Sequence, residues 1–248
     1  MSEIAIIIPA RLESSRFPRK PLTKLLGREM ILHVLDRVTG VVSKEITYVA
    51  TDSLEIAHLV EKSGFQVIMT GNHPTGTDRL AEANKIVNAP YVLNIQGDEP
   101  AFNPEDVSAS IEYLKRSEFS AITGYCKTMG ESEFNDTNTI KVAFSRGGRL
   151  LYISRAPIPG SKHGMEMKFH RQVCMYGYTR EALMCFAELP RGAFEQIEDH
   201  ELLRFLENDI PVGVIELSDW SVPVDLPEDI VLAEKQLKEK FFLSNLID

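Results

Sequence analysis

The chain has little cysteine, no long apolar run and no surplus of positive charge, and each shortage removes a class of function. Its three cysteines, Cys126, Cys174 and Cys185, are odd in number and show no CxxC spacing. That pattern points to a reducing cytoplasm and away from a disulfide scaffold or a zinc site. No apolar stretch approaches the roughly 20 residues that a bilayer-spanning helix needs. The opening MSEIAIIIPAR has no basic segment before its apolar run and meets Arg11 early, so it reads as a strand rather than a signal peptide. Lys and Arg total 27 against 36 Asp and Glu, a formal net charge of −9. Such acidity argues against nucleic acid or an anionic membrane as partner, yet leaves room for one small basic pocket. Glycine-rich phosphate loops of the GxxxxGK[ST] and GxGxxG kinds are missing, as is a GxSxG or Cys/His nucleophile arrangement. The six histidines show neither i, i+4 pairing nor metal spacing.

What is present is a globular composition, 44% apolar, without repeats, low-complexity tracts or a Gly/Ser linker. Ile4 to Ile8 is a short β-branched run that suits a strand buried on both faces. Ile31, Val34, Leu35 and Val38 recur at helical spacing. Strands are expected at 46–50, 67–69 and 91–95. Helices are expected at 54–62, ended by Gly64, at 79–87, capped by Thr75 or Thr77, and from Asn103 or Pro104 to about Lys115. This alternation predicts βαβ units and a mostly parallel, doubly wound α/β sheet. Beyond 115 the strands crowd together, at 121–126, 140–144, 150–153, 173–178 and 212–217, with helices at 198–207 and 228–242. The expected architecture is one domain, 1–248, with a mixed sheet in its second half.

In open α/β sheets, ligands sit at the carboxyl ends of strands. The first such end carries four cations, Arg11, Arg16, Arg19 and Lys20, opposed only by Glu13, with Ala10, Ser14 and Ser15 small enough for backbone amides to approach an anion. Arginine forks and a lysine point charge are the usual means of holding a polyphosphate; a solvated basic loop is the plainer alternative. Asp98 follows the fourth strand directly, where a carboxylate either holds Mg²⁺ against those phosphates or serves as a turn acid. Asp225 stands in a capping-box pattern with Glu228 for the last helix. Arg79, in the first turn of its helix, sits unfavourably for the helix dipole. That favours a ligand or an acidic partner such as Asp78 over a bare surface position.

Nine ordered segments then carry a resemblance: IIPARLESSRFPRKPL (7–22), YVATD (48–52), TGTDRLAEA (75–83), NIQGDEP (94–100), IKVAFS (140–145), LYISRAPIP (151–159), MYGYTREAL (175–183), ELLRFLEN (201–208) and VPVDLPEDI (222–230). Together they resemble the 3-deoxy-manno-octulosonate (Kdo) cytidylyltransferases over residues 4–235. The resemblance implies a nucleotidyltransferase fold, Rossmann-like and glycosyltransferase-A-like, with a mixed-sheet dimerisation arm. Residues 1–115 would bind the nucleotide, and 116–248 would bind the sugar and form a homodimer. CTP would lie over the first loop, with Arg11, Arg16 and Lys20 on its phosphates. Ala10, Thr75, Arg79 and Gln96 would lie near the nucleotide, Gln96 also near the sugar. Asp98 and Asp225 would bind Mg²⁺. Arg155 would pair with the sugar-acid carboxylate, while Gln172, Tyr176 and Glu201 would line the sugar pocket. Arg11, Lys20 and Asp98 would be catalytic. The anomeric hydroxyl would attack the α-phosphorus in line and expel pyrophosphate, and the product would feed cell-envelope lipopolysaccharide synthesis.

The chain departs from that family at four places. Arg19 replaces a glycine before the lysine, with an expected effect on loop conformation or phosphate affinity. Leu226 replaces a threonine. Gln172 stands for a histidine and Leu202 for a glutamine, both in segments expected to meet the sugar. Changing two polar side chains in one pocket predicts a changed acid, such as an 8-amino relative. A phosphate or phosphonate acceptor, with Arg155 and Arg171 as extra cations, and a non-catalytic nucleotide-binding homologue are the alternatives.

Overall fold

The computed structural model describes residues 2–13, 16–128, 130–163, 169–219 and 223–244. The expected roles of Ser14 and Ser15 fall outside these residues. Strand β1 (Ile4–Ala10) is buried along almost its whole length, as a central parallel strand covered on both faces must be. A two-residue hairpin, β2 (Lys24–Leu25) and β3 (Arg28–Glu29), leads into helix α1 (Met30–Thr39). Then β4 (Thr47–Thr51), α2 (Leu54–Lys62), β5 (Gln66–Met69), α3 (Gly76–Val87), β6 (Tyr91–Ile95) and α4 (Pro104–Arg116) follow in strict alternation. β1 pairs in parallel with β4 and β6, and β4 with β5. The expected doubly wound half is therefore present.

The second half contains β7 (Ala121–Thr128), α5 (Glu131–Asn135), β8 (Lys141–Phe144), β9 (Leu150–Ser154), β10 (Phe169–Thr179), α6 (Arg180–Glu188), α7 (Ala193–Glu198), α8 (Leu202–Leu206), β11 (Val212–Glu216) and α9 (Asp229–Ser244). The main sheet runs β11-β7-β10-β6-β1-β4-β5, and β8 joins β10 to β9 at one side. β10 is antiparallel to both β6 and β7, with a bulge between Val173 and Tyr176. β11 returns parallel to β7. A backbone bond from Val224 N–H to the Asp98 carbonyl, 2.9 Å, then lays the following segment across the end of β6.

The expected continuous helix over 198–207 is corrected. Asp199 adopts a left-handed conformation (φ 49°), ending α7, and α8 starts only at Leu202. The break serves long-range bonding: the Glu198 and Asp199 carbonyls turn to Arg155, and the Glu201 carboxylate turns to α3. Two apolar layers cover the sheet. One gathers α3, α6 and α8 around Leu80, Leu183, Leu202 and Phe205; the other gathers α1, α2 and α4 around Ile31, Leu35, Val60 and Val107. Both leave the carboxyl ends of β1 and β6 open. Among the described residues no helix is long and apolar enough to cross a membrane.

Candidate active site

The basic loop is held from beneath. Phe17 packs with Leu25, Met30, Val224 and Leu237, so the loop rests on α9 as well as on the sheet. A 3₁₀ turn over Lys20–Leu22 follows Arg19, whose φ of 59° lies in the left-handed region. This explains the glycine of the resembling family: the position needs a positive φ, which glycine adopts without strain. Arginine keeps that backbone here, and its side chain pairs with Glu55 outside the cleft. The extra cation thus does not line the cleft, and the backbone beneath it is one that glycine would also adopt.

Lys20 points inward. Its ammonium meets Oδ2 of Asp98 at 2.6 Å and Oδ1 of Asp225 at 3.3 Å, and the stem is largely buried. Arg16 reaches the same Asp225 oxygen at 3.4 Å. The capping-box reading of Asp225 is overturned. The helix-starting carboxylate is Asp229, whose Oδ2 accepts the N–H groups of Asp225 (2.9 Å) and Leu226 (2.8 Å). The Asp225 side chain is thereby free to face Lys20. Among the described residues no three His, Cys, Asp or Glu groups gather as a complete metal cage. Two carboxylates 205 and 78 residues distant from one shared lysine are a different kind of donor set. They fit Mg²⁺, which takes one or two carboxylates and fills its shell with phosphate oxygens and water.

The start of α3 forms the next wall. Thr75 is its N-cap, its hydroxyl accepting Asp78 N–H at 3.1 Å. Glu201 completes the cap from 125 residues away, accepting Gly76 N–H at 3.0 Å and Thr77 N–H at 2.9 Å. Burial raises the Glu201 carboxyl above its ordinary pKa, nearby Asp78 adds to this, and the α3 amide bonds oppose it. Arg79 is buried, not superficial, and its partner differs from the one expected. It donates to Thr70 Oγ1 (2.6 Å) and Asp52 Oδ2 (2.9 Å). Asp78 instead pairs with Arg204 at 3.1 Å. Gln96 and Gly97 form the floor. A Cβ at Gly97 would stand 3.2 Å from the Pro9 carbonyl and 3.3 Å from Ile31 Cδ1, so a side chain there would press the strand end away from β1 by a few tenths of an ångström.

These groups share one cleft of about 400 Å³, which brings together Ala10, Arg11, Arg16, Lys20, Thr75, Arg79, Gln96, Asp98, Glu201 and Asp225. All but three of the expected site residues are in it. Arg155, Gln172 and Tyr176 do not line it; Gln172 lines an adjoining cavity of about 420 Å³ that shares Arg16 and Asp225 with this cleft. Arg155 commits Nε, Nη1 and Nη2 to the carbonyls of Glu198 (2.7 Å), Thr137 (3.2 Å) and Asp199 (3.4 Å). Lys141, fully buried, clamps the Arg155 carbonyl at 2.8 Å from the other side. Gln172 is buried and donates to Thr123 Oγ1 (3.1 Å) and the Tyr176 hydroxyl (3.3 Å). Leu202 is fully buried in the apolar layer, so positions 172 and 202 do not share one sugar-facing pocket.

His73, Arg191, Asp199 and His200 line the cleft instead, and sequence reasoning missed all four. The His200 ring is fixed at both nitrogens. Nδ1 accepts Leu202 N–H (3.3 Å) and Nε2 donates to Gln172 Oε1 (2.8 Å). Burial, with the Arg155 charge nearby, drives its pKa down to about 3. The imidazole is therefore neutral across physiological pH. A faint signal for Arg191 was its i, i+4 spacing from Glu195; His200 carried none. Chemically, cations crowd the β1 end, paired acids the middle, and a mixed polar wall the far end.

The chain matches the model of a family described as cytidylyltransferase over residues 5–216. It is 40% identical to a 3-deoxy-manno-octulosonate cytidylyltransferase of Syntrophotalea carbinolica, covering 95% of this chain and 98% of that one. It is 38% identical to an 8-amino-3,8-dideoxy-manno-octulosonate cytidylyltransferase of Shewanella pealeana, over 94% and 98% respectively. Its fold superposes with a TM-score of 0.90 on a CMP:2-keto-3-deoxy-manno-octonic acid synthetase complexed with CTP, 32% identical, over 96% of this chain and all of that one.

Proposed function

The chain belongs to the cytidylyltransferase family, and from that premise we propose that it transfers CMP from CTP to the anomeric hydroxyl of a 2-keto-3-deoxy sugar acid. Kdo and its 8-amino relative are the acids named for its relatives. The observation that carries this reading is the Lys20 ammonium held between Asp98 and Asp225 in a cleft walled by Arg11, Arg16 and Arg79. Such a cluster suits a substrate rich in phosphate charge whose leaving group gains more. The hydroxyl gives up its proton to water as its oxygen bonds to the α-phosphorus, the bond from that phosphorus to the bridging oxygen breaks, and pyrophosphate departs with the electron pair. Arg11, Arg16 and Lys20 offset the charge it carries away. Asp98 and Asp225 would hold Mg²⁺, which supplies Lewis acidity toward phosphate oxygens when bound. Thr75, Arg79 and Gln96 flank the nucleoside, and Gly97 lets the end of β6 lie close to β1 beneath it.

The reading extends to a homodimer acting in the cytoplasm and supplying an activated sugar acid for envelope lipopolysaccharide. Leu151, Phe194 and Ile197, all more than half exposed near β9 and α7, support an interface there. The test is pyrophosphate release from purified protein with CTP, with and without Mg²⁺. Kdo, 8-amino-Kdo, other 2-keto sugar acids, sugar 1-phosphates and a phosphonate serve as acceptors. Release with a keto sugar acid, dependent on Mg²⁺, is expected. Release only with a phosphate or phosphonate would overturn the acceptor class.

A further inference from the structure

Two arginines stand near the far end of the cleft, and of the two only Arg191 lines it. Arg155 is bonded at all three guanidinium nitrogens to main-chain carbonyls and does not line the cleft. Arg191 does line it. Its Nε donates to Oε1 of Glu195 at 3.0 Å, while Nη1 and Nη2 meet no partner among the described residues. Glu195 cannot swing away, because it is fully buried and Arg204 binds both its oxygens, at 2.7 and 2.8 Å. Arg204 is in turn fixed by Asp78 at 3.1 Å and by stacking over the Phe186 ring at 3.7 Å. The Arg191 guanidinium is thus anchored at its root and open at its tips. Two parallel N–H donors on a pre-positioned plane are what bidentate carboxylate recognition requires.

Resting on the sugar-acid reading above, we infer that Arg191 grips the acceptor carboxylate and that Arg155 is a positioning residue beneath it. Arg155 holds the Glu198–Asp199 turn, and that turn presents Asp199 and His200 to the cleft beside Arg191.

The test compares Kdo with its C1 carboxamide as acceptors for full-length wild type, Arg191→Ala, Arg191→Lys and Arg155→Ala, with CTP affinity measured by calorimetry. Wild type should prefer the acid by about 30-fold or more, the range of a charge-assisted pair. Arg191→Ala should lose that preference through acceptor KM, with CTP affinity unchanged, and Arg191→Lys should keep part of it. Arg155→Ala should lower kcat/KM for both acceptors alike. A wild-type acid/amide ratio in Arg191→Ala, or collapse of the ratio in Arg155→Ala alone, would overturn the assignment. If Arg191→Ala fails to fold, Arg191→Gln is read by the same ratio. Wild type that turns over no keto sugar acid would sink the acceptor reading itself, a result distinct from an unchanged ratio.

Discussion

His200 Nε2 donates to the side-chain carbonyl of Gln172 across 2.8 Å, joining a helix start to a bulged strand behind the cleft. Gln172 stands where the resembling family has histidine, and here an imidazole reaches the cleft from 28 residues further on. The polar character expected to be lost at this end is therefore supplied by another element.

The ring's low pKa has a consequence for stability. Its folded value of about 3 lies below the unfolded value near 6.5, so the unfolded chain binds the proton first. Stability should fall as pH drops from about 6.5 toward 3, by up to about 1.4 kcal/mol per pH unit from this group. Urea unfolding of wild type and His200→Asn between those limits checks it. The variant should show the shallower slope, and equal slopes would contradict the assignment.

Leu202→Gln tests where specificity resides. The side chain is fully buried among Leu80, Leu183 and Phe205. An amide there lacks partners and should cost about 2–3 kcal/mol. Denaturant midpoints should drop while the order of preferred acceptors stays the same. A switched order at unchanged stability would return Leu202 to the pocket wall.

Lys20→Met should lower kcat by about 10²–10³-fold, the usual loss of one charge-stabilising donor. It also leaves Asp98 and Asp225 without their common cation. Single-turnover rates with CTP saturating separate this effect from weakened binding. An unaltered rate would remove Lys20 from the chemistry.

Arg19→Gly is expected to be benign. Glycine suits the φ of 59°, and the Glu55 partner it would give up is exposed on the surface. The KM for CTP should hold within about threefold. A large rise would mean that Arg19 contacts phosphate after all.

The sequence made the outline legible where local chemistry and tertiary packing agree. Helix α2 and strand β6 appear with the boundaries expected, one capped by Ser53 and closed before Gly64, the other ended by a Gly-Asp turn. The basic end of the cleft was legible for a related reason: Arg11 and Asp98 fall just past strand ends, where position in the chain predicts position in space, and Lys20 lies on the loop that leaves the first of them. The helix over 198–207 failed because Asp199 gives up helical geometry for bonds to Arg155, a residue 44 positions away. Asp225 failed in the opposite direction: its capping pattern was real, but Asp229 fills it. His200 was invisible because its neighbour is Gln172 on a distant strand, and Arg191 offered only its i, i+4 spacing from Glu195, whose own place is set by Arg204.

The return of β11 beside β7, and the Val224 link to Asp98 that follows it, make the pairing of the two cleft acids a tertiary property. Lys20 meets Asp98 and Asp225 together only where the end of β6 and the segment after β11 come side by side. Local opening of that segment would part the acids while the loop after β1 kept its place, so the cleft should lose its acid pair before its cations.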